Sequence, residues 1–150
     1  MVRRTSTALL ISAAIAVVVA ACGGAASPTP STSLASAATA GGAIAVDLKE
    51  WAVTPASQTA KAGEVTFNIK NSGTVVHEFV VVKTDKKADT LPVVGSKIDE
   101  SVLTPVDEVE DIAVGATPSH KVTLAAGHYV LLCNVETHYG LGMRSDFDVN

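Results

Sequence analysis

The pattern of hydrophobic and polar positions from residue 43 onward predicts an all-β domain. Apolar and polar side chains alternate, or form short apolar runs, between turn-forming segments such as 71–73 and 125–127. The predicted strands cover residues 44–48, 65–69, 75–82, 121–124, 129–135 and 146–149. Several short strands at this spacing are typical of a β-sandwich with Greek-key connections.

Residues 84–115 interrupt this pattern. The segment contains Pro92, Pro105 and a run of acidic residues at 107–111, which we name the acidic cluster. We predict an irregular excursion with one helical turn and an edge strand. We interpret the acidic cluster as a solvated loop, and the less favoured alternative is a docking surface for a basic redox partner.

The start of the chain has a different character. Arg3 and Arg4 precede an apolar run at 8–21, which is too short to span a bilayer and has the length of a signal-peptide core. The run ends in Val-Ala-Ala-Cys at 19–22, which resembles a bacterial lipobox. We therefore predict a signal peptide over residues 1–21 and a lipid on Cys22. An ordinary cleaved signal with an incidental cysteine is the alternative.

Residues 25–42 contain only Ala, Ser, Thr, Pro and Gly, apart from Leu34. Such a segment cannot bury enough apolar surface to offset its ordering entropy. We predict that residues 22–42 are a lipidated, flexible tether and that residues 43–150 form the folded domain. The expected location is extracytoplasmic, anchored to the bacterial cell membrane at the cell surface or on its periplasmic face.

Charge narrows the range of partners. Loss of Arg3 and Arg4 from the 11 basic residues leaves 9 against 15 acidic ones, a formal net charge of −6. A chain without a basic patch is not expected to bind nucleic acid. We expect a monomer that favours basic protein partners.

The chain has two cysteines, Cys22 and Cys133. In an exported protein such a pair suggests a disulfide, but a lipidated Cys22 has no thiol to contribute. Cys133 is then an unpaired cysteine outside the cell, where free thiols oxidise. We infer that some other function protects it.

Cys133, His138 and Met143 follow one another at intervals of five residues, and His77 lies within an apolar run far upstream. Taken singly, His77 is a core histidine that needs a specific partner, His138 is a surface loop histidine, and Met143 is a gap filler. Together they match a known ligand set, two imidazoles and a thiolate in a trigonal array with a long axial thioether. That set carries copper in one-electron transfer.

The spacing favours a common site. The runs containing His77 and Cys133 are apolar on both faces, so we predict that they are neighbouring central strands. Gly140 and Gly142 would let the loop after Cys133 wrap around an ion. Of the other two histidines, we expect His120 to be solvated and His128 to lie at the start of a strand, away from the metal.

Three segments resemble cupredoxins, the small blue copper proteins. They are Asn-Ser-Gly-Thr-Val-Val-His at 71–77, Gly-His-Tyr-Val-Leu-Leu-Cys at 127–133, and the loop Cys133-x₄-His138-x₄-Met143, whose spacing is similar to that of auracyanin and rusticyanin. The resemblance implies a cupredoxin-like Greek-key sandwich and a copper cofactor. His77, Cys133 and His138 would be equatorial ligands and Met143 the axial one. The resemblance also implies outer-sphere electron transfer with redox protein partners, without enzymatic activity.

Two positions depart from better-known cupredoxins. Glu78 follows the upstream histidine where an asparagine often braces the ligand loop, and Val76 replaces a glycine whose carbonyl makes a weak fifth contact in azurin. We therefore expect no fifth contact.

The alternatives to electron transfer are a copper enzyme, copper delivery or storage, and a domain without metal. An enzyme needs an open coordination position, which four side-chain ligands do not leave. A binuclear copper centre needs a second cysteine near Thr137. Delivery proteins favour exposed Met- and His-rich sites. We expect His138, followed by the uncharged segment 139–142, to be the port for electrons.

Overall fold

In a computed structural model, residues 42–150 are described and form two packed β-sheets and a hairpin. The strands are β1 (Ala43–Lys49), β2 (Ala52–Pro55), β3 (Thr59–Ala60), β4 (Gly63–Asn71), β5 (His77–Lys83), β6 (Val93–Val94), β7 (Lys97–Ile98), β8 (Thr104–Ile112), β9 (Ser119–Leu124), β10 (Gly127–Leu132) and β11 (Arg144–Val149). A single helical turn, α1, covers His138–Leu141. The all-β prediction is confirmed.

The predictions for the signal peptide, for Cys22 and for all but the last residue of the tether lie outside the described residues. Within residues 42–150, no helix has both the length and the apolar character needed to cross a membrane.

The two sheets place β5 and β10 at interior positions. One sheet has the order β2-β1-β4-β9, with β1 and β4 parallel, and the other has the order β3-β11-β10-β5-β8. Strands β10 and β5 are antiparallel, with Leu131 opposite Val81. The prediction that these two runs are neighbouring central strands is confirmed.

The main core lies between the sheets, where alternate residues of each strand meet. Val65, Phe67 and Ile69 of β4 face this core, as strict alternation predicts. The ring centroid of Phe67 lies 5.2 Å from that of Phe79 and 5.6 Å from that of Phe147. Each fully buried side chain of this size contributes about 1.5–3 kcal/mol through the hydrophobic effect.

A second apolar cluster covers the outer face of the five-stranded sheet. The other faces of β5 and β10 pack there against the segment 84–103 and one tyrosine of the loop after Cys133. Its buried members are Val80, Val82, Ala88, Leu91, Ile98, Val130, Leu132 and Tyr139. This cluster explains why both strands are apolar on both faces.

The segment 84–115 differs from the prediction in two respects. It contains no helical turn, and the acidic cluster lies within edge strand β8 instead of a loop. The edge-strand prediction is confirmed. Strand β8 accepts several acidic residues because many of its positions are open to water, and such charges on an edge strand discourage pairing with another chain.

Strand β8 bulges beside the start of β5. The register shifts between the pairs His77↔Ile112 and Phe79↔Val109, and Asp111 has a positive φ of 51°. An extra residue of this kind bends a strand and increases its twist. The bend lies directly beside His77.

Two predicted strand boundaries were wrong in the same way. The run 75–82 begins as a strand only at His77, and Val75 and Val76, which lie before the strand, are 40% and 44% exposed. The run 129–135 leaves the sheet after Leu132. At both places the chain departs from the sheet next to a predicted metal ligand.

Candidate metal centre

Three of the four predicted ligands converge at one end of the sandwich. Nδ1 of His77 lies 3.2 Å from Nδ1 of His138, and Sγ of Cys133 lies 3.4 Å from Nδ1 of His138 and 3.9 Å from Nδ1 of His77. All three side chains are buried. Two imidazole nitrogens and one sulfur therefore face a common point.

The strand pairing explains this convergence. His77 begins β5 and Cys133 follows the last residue of β10, and the two strands run antiparallel with Leu132 opposite Val80. The start of one strand and the end of its antiparallel neighbour lie at the same end of the sheet. His138, the first residue of α1, lies at this same end.

Met143 closes the ligand loop, which we define as residues 133–143. The backbone N–H of Cys133 donates to the carbonyl of Met143 at 3.0 Å, and the N–H of Met143 donates to the carbonyl of His138 at 3.1 Å. The Met143 side chain is fully buried in the same core cluster as Cys133. All four predicted ligands therefore belong to one connected region.

The sulfur of Cys133 receives one backbone hydrogen bond. The N–H of Glu78 donates to Sγ at 3.3 Å. Burial raises the pKa of the Cys133 thiol, and this hydrogen bond acts in the opposite direction. Since a metal binds the thiolate, binding would release the thiol proton.

His77 is held from its other edge by Glu50, which follows β1. Oε1 of Glu50 lies 3.1 Å from Nε2 of His77 and accepts hydrogen bonds from the N–H groups of Thr74, at 2.8 Å, and Val75, at 3.2 Å. The hydrogen bond from Thr74 is the main cause that holds the pKa of Glu50 below its usual range. Sequence reasoning missed Glu50, because no periodicity or motif links it to His77.

His138 lies under an aromatic ring that sequence reasoning also missed. The ring of Trp51 packs edge-on against the imidazole with centroids 5.0 Å apart. Trp51 is 42% exposed and His138 only 7%. Burial lowers the pKa of His138, which favours the neutral imidazole that ligates metals.

Asn134 braces the ligand loop at the position after Cys133. Its Oδ1 accepts from the N–H of Ile98 at 2.7 Å, and its Nδ2 donates to the carbonyl of Ile98 at 3.4 Å and to the carboxylate of Glu100. These bonds tie the loop to the segment 84–103. In this protein Asn134 therefore holds the ligand loop, and the loop does not depend on an asparagine at the position of Glu78.

Tyr139 provides a second connection to the same segment. Its hydroxyl accepts from the N–H of Leu91 at 3.1 Å and donates to the carbonyl of Ala88. The N–H of Thr137 also donates to the carbonyl of Ser96 at 2.9 Å. The segment 84–103 thus covers the outer face of the sheet and holds the ligand loop.

Of the two glycines predicted to free the loop, Gly142 has the special conformation. Its φ is 127°, and a Cβ there would lie 2.8 Å from the carbonyl oxygen of Trp51. Gly140 lies within α1. Only Gly142 combines a backbone angle and a close approach that exclude other residues.

The remaining histidines lie outside the cluster. His128, in β10, is bonded to Asp148 through Nδ1 at 2.9 Å, at the opposite end of the strand from Cys133. His120 lies inside β9 and is partly buried, with Nε2 2.9 Å from Oδ2 of Asp107. The expectation of a solvated His120 was therefore wrong, because the edge of β8 provides it with an acidic neighbour.

A separate group of three carboxylates lies near Glu78. Carboxylate oxygens of Glu78, Glu100 and Glu108 are all within 4.8 Å of one another. Burial raises the pKa of Glu78 to about 7, with further contributions from Glu100 and Glu108. Unlike the histidine and cysteine cluster, this group contains only acidic side chains, one of them exposed.

The family model described as Cupredoxin-like domain matches residues 12–142, and the chain belongs to this family. No curated protein matches this chain.

Solved structures of two auracyanins share this fold. Auracyanin A, a "blue" copper protein from Chloroflexus aurantiacus, is 27% identical with a TM-score of 0.52, over 72% of this chain and 98% of auracyanin A. The auracyanin of Roseiflexus castenholzii is 21% identical with a TM-score of 0.51, over 72% and 94% of the two chains. Rusticyanin from Thiobacillus ferrooxidans is 19% identical with a TM-score of 0.45, over 72% and 76%.

The residues present fit copper. Two imidazoles, one thiol that can ionise on metal binding and a buried thioether form the donor set of a type 1 copper site. Family, fold and donor set together define a blue copper electron-transfer protein. It is an electron carrier and not an enzyme.

Proposed function

We propose that this protein is a membrane-tethered cupredoxin that passes single electrons between redox proteins outside the cytoplasm. His77, Cys133 and His138 would be equatorial ligands and Met143 the axial ligand. The observation that carries the proposal is the convergence of the two Nδ1 atoms and Sγ within 3.2–3.9 Å of one another. Similarity to auracyanin A, a "blue" copper protein, supports it.

Bound copper supplies the one-electron Cu(I)/Cu(II) couple at such a site. The protein's own contribution is to hold the ligands in place in both oxidation states. His77 is fixed between β5 and Glu50, and Cys133 and Met143 are joined through their backbones. A site that rearranges little on gaining or losing an electron transfers it quickly.

The end of the sandwich around His138 supports electron exchange through close contact. Exposed apolar side chains lie at this end on three loops that flank strand ends near His77 and on α1. We name this surface the apolar end, and its exposed members are Trp51, Val75, Val76, Val114 and Leu141. We infer that electrons pass through His138 and the Trp51 ring that covers it. A redox partner that contacts this surface would form a small, weak interface, as is typical of electron-transfer complexes.

The acidic cluster supports a basic partner. Glu108, Glu110 and Asp111 are exposed on edge strand β8, which ends beside His77. Charges at the rim of an interface mainly increase the association rate. A basic redox protein would therefore be guided towards the apolar end.

The tether would be the lipid on Cys22 and the linker that follows. The test is mass spectrometry of the N-terminus of the mature protein, together with fractionation of cells that express the Cys22→Ala variant. We expect a diacylglyceryl cysteine at position 22 and release of the variant from the membrane fraction. An unmodified N-terminus at another residue would overturn this part of the proposal.

The central test is addition of Cu(II) to the purified full-length protein, followed by visible and electron paramagnetic resonance spectroscopy. An intense thiolate-to-copper band, blue or green, supports electron transfer. A colourless protein that holds copper weakly would favour copper delivery or storage instead, and absence of binding would overturn both functions.

Two variants test the ligand assignment in the same experiment. Cys133→Ser should abolish the band, because only the thiolate produces it. Met143→Leu should keep the copper and the band while raising the reduction potential, because the axial thioether tunes that potential. We expect roughly a tenfold gain in preference for Cu(I), which corresponds to about 59 mV. Colour that survives without Cys133 would refute the assignment.

A further inference from the structure

Glu50 lies against the edge of His77 that faces away from Cys133. We propose that Glu50 is a positioning residue for the copper site: its carboxylate holds His77 as the tautomer with Nδ1 free for the metal, and its charge favours Cu(II) over Cu(I). This inference rests on the proposed function.

The contact distances determine the tautomer. A neutral imidazole has one N–H, and an ionised carboxylate can only accept a hydrogen bond. Because Oε1 of Glu50 lies 3.1 Å from Nε2 of His77, Nε2 carries the proton. Nδ1, which faces His138 and Cys133, keeps its lone pair. Histidines that bind metals commonly donate their second N–H to such a partner, which orients the ring and increases its basicity.

The carboxylate is itself fixed by the backbone. The N–H groups of Thr74 and Val75 donate to the same Oε1 atom that contacts His77. The Glu50 side chain is only 18% exposed and that of His77 is fully buried. This pair therefore differs from a surface ion pair, in which two mobile side chains gain little.

Gly73 is an independent sign that the loop is shaped around this contact. A Cβ at position 73 would lie 2.2 Å from Oε1 of Glu50 and 2.8 Å from Nε2 of His77. Any side chain there must displace the carboxylate, the imidazole or the loop. The absence of a side chain at this position lets all three meet.

The charge of Glu50 should also influence the redox equilibrium. A negative charge one imidazole away from the metal stabilises the more positive oxidation state, and screening is weak because the pair is largely covered by protein. Removing that charge should therefore shift the preference towards Cu(I).

The experiment compares Glu50→Gln, Glu50→Ala and Gly73→Ala in the full-length, copper-loaded protein. Glu50→Gln keeps the shape and an acceptor oxygen but removes the charge, and we expect the ratio of Cu(II) to Cu(I) affinity to fall at least tenfold, a rise of 59 mV or more in potential. Glu50→Ala and Gly73→Ala should also broaden or shift the visible band. The control is Glu64→Gln, an exposed carboxylate paired with Lys121, which should leave both readouts unchanged.

A measurement without copper separates this inference from the proposed function. In the copper-free protein, ¹⁵N chemical shifts of His77 should report a single tautomer with Nε2 protonated, and Glu50→Ala should give a mixture. A wild-type protein without a thiolate band would overturn the proposed function but leave this result valid. Equal potentials in Glu50→Gln and wild type would overturn the role of the charge, and an unchanged tautomer in Glu50→Ala would overturn the positioning role.

Discussion

The two halves of the metal centre are held by different parts of the protein. The His77 half, residues 71–77 with Glu50, is braced within the sandwich by buried and partly buried hydrogen bonds of Asn71 and Glu50. The ligand loop is braced mainly by the segment 84–103, on the outer face of one sheet. His77 therefore depends on the sandwich itself, whereas the ligand loop depends also on the layer that packs on the outer face of one sheet.

The strongest way to break this contrast is Asn71→Ala. Nδ2 of Asn71 donates to the carbonyls of Val75 and Ile112, both at 2.8 Å, and Oδ1 accepts from the N–H of Gly73 at 2.9 Å. Loss of a fully buried side chain that satisfies three backbone groups should reduce the free energy of unfolding by about 3 kcal/mol. Urea unfolding of the copper-free protein measures this loss.

The matched control is Asn68→Ala in the same strand. Asn68 is exposed and bonds only the hydroxyl of Ser119. Its replacement should change the free energy of unfolding by no more than about 0.5 kcal/mol. Equal effects at the two positions would show that Asn71 does not brace the His77 half.

Tyr139→Phe tests the other half and should have a smaller effect. The change removes the hydroxyl between Leu91 and Ala88 and leaves a buried N–H without its partner. We expect a loss of about 1.5 kcal/mol in the free energy of unfolding. Amide hydrogen exchange should accelerate within the ligand loop and stay unchanged at His77.

Tyr129→Phe is the control for that experiment. Its hydroxyl donates to the carbonyl of Ala125, at the far end of β10 from the site. A similar or smaller loss of stability is expected, without faster exchange in the ligand loop. Faster exchange at His77 in Tyr139→Phe would contradict the separate bracing of the two halves.

Leu141→Glu should have the smallest effect on stability. The side chain is exposed, so the free energy of unfolding should change by no more than about 0.5 kcal/mol. If electrons leave through the apolar end, two copies carrying the new charge will repel each other there. The electron self-exchange rate, measured by NMR line broadening, should fall about tenfold at low salt.

Val102→Glu adds the same charge at an exposed apolar residue before β8, away from the apolar end. Self-exchange should be nearly unchanged in this variant. An equal decrease in both variants would place the electron port elsewhere.

Much of the site was predictable because ligand chemistry restricts residue types. A cysteine without a disulfide partner, two histidines and a methionine remain recognisable in a sequence when three of them follow one another at fixed intervals. Strand alternation likewise predicted which side chains of β4 enter the core. These signals are local, and they persist whatever surrounds them.

Other features have no local signal. Glu50 and Trp51 follow a strand like many surface residues, yet they contact His77 and His138. The segment 84–103 lacks periodicity because its hydrogen bonds connect it to the ligand loop instead of to a regular sheet. Contacts between residues far apart in sequence depend on how the sheets stack, which periodicity does not encode.

The sequence by itself determined the all-β class, the central strands and the donor set, since these follow from side-chain alternation and from metal-ligand chemistry. Only the tertiary structure decided what surrounds the donors: Glu50 on His77, Trp51 on His138, and Asn134 and Tyr139 anchoring the loop. The physical reason is that donor identity is a property of each side chain, whereas its orientation, burial and neighbouring charge arise only when distant segments pack together.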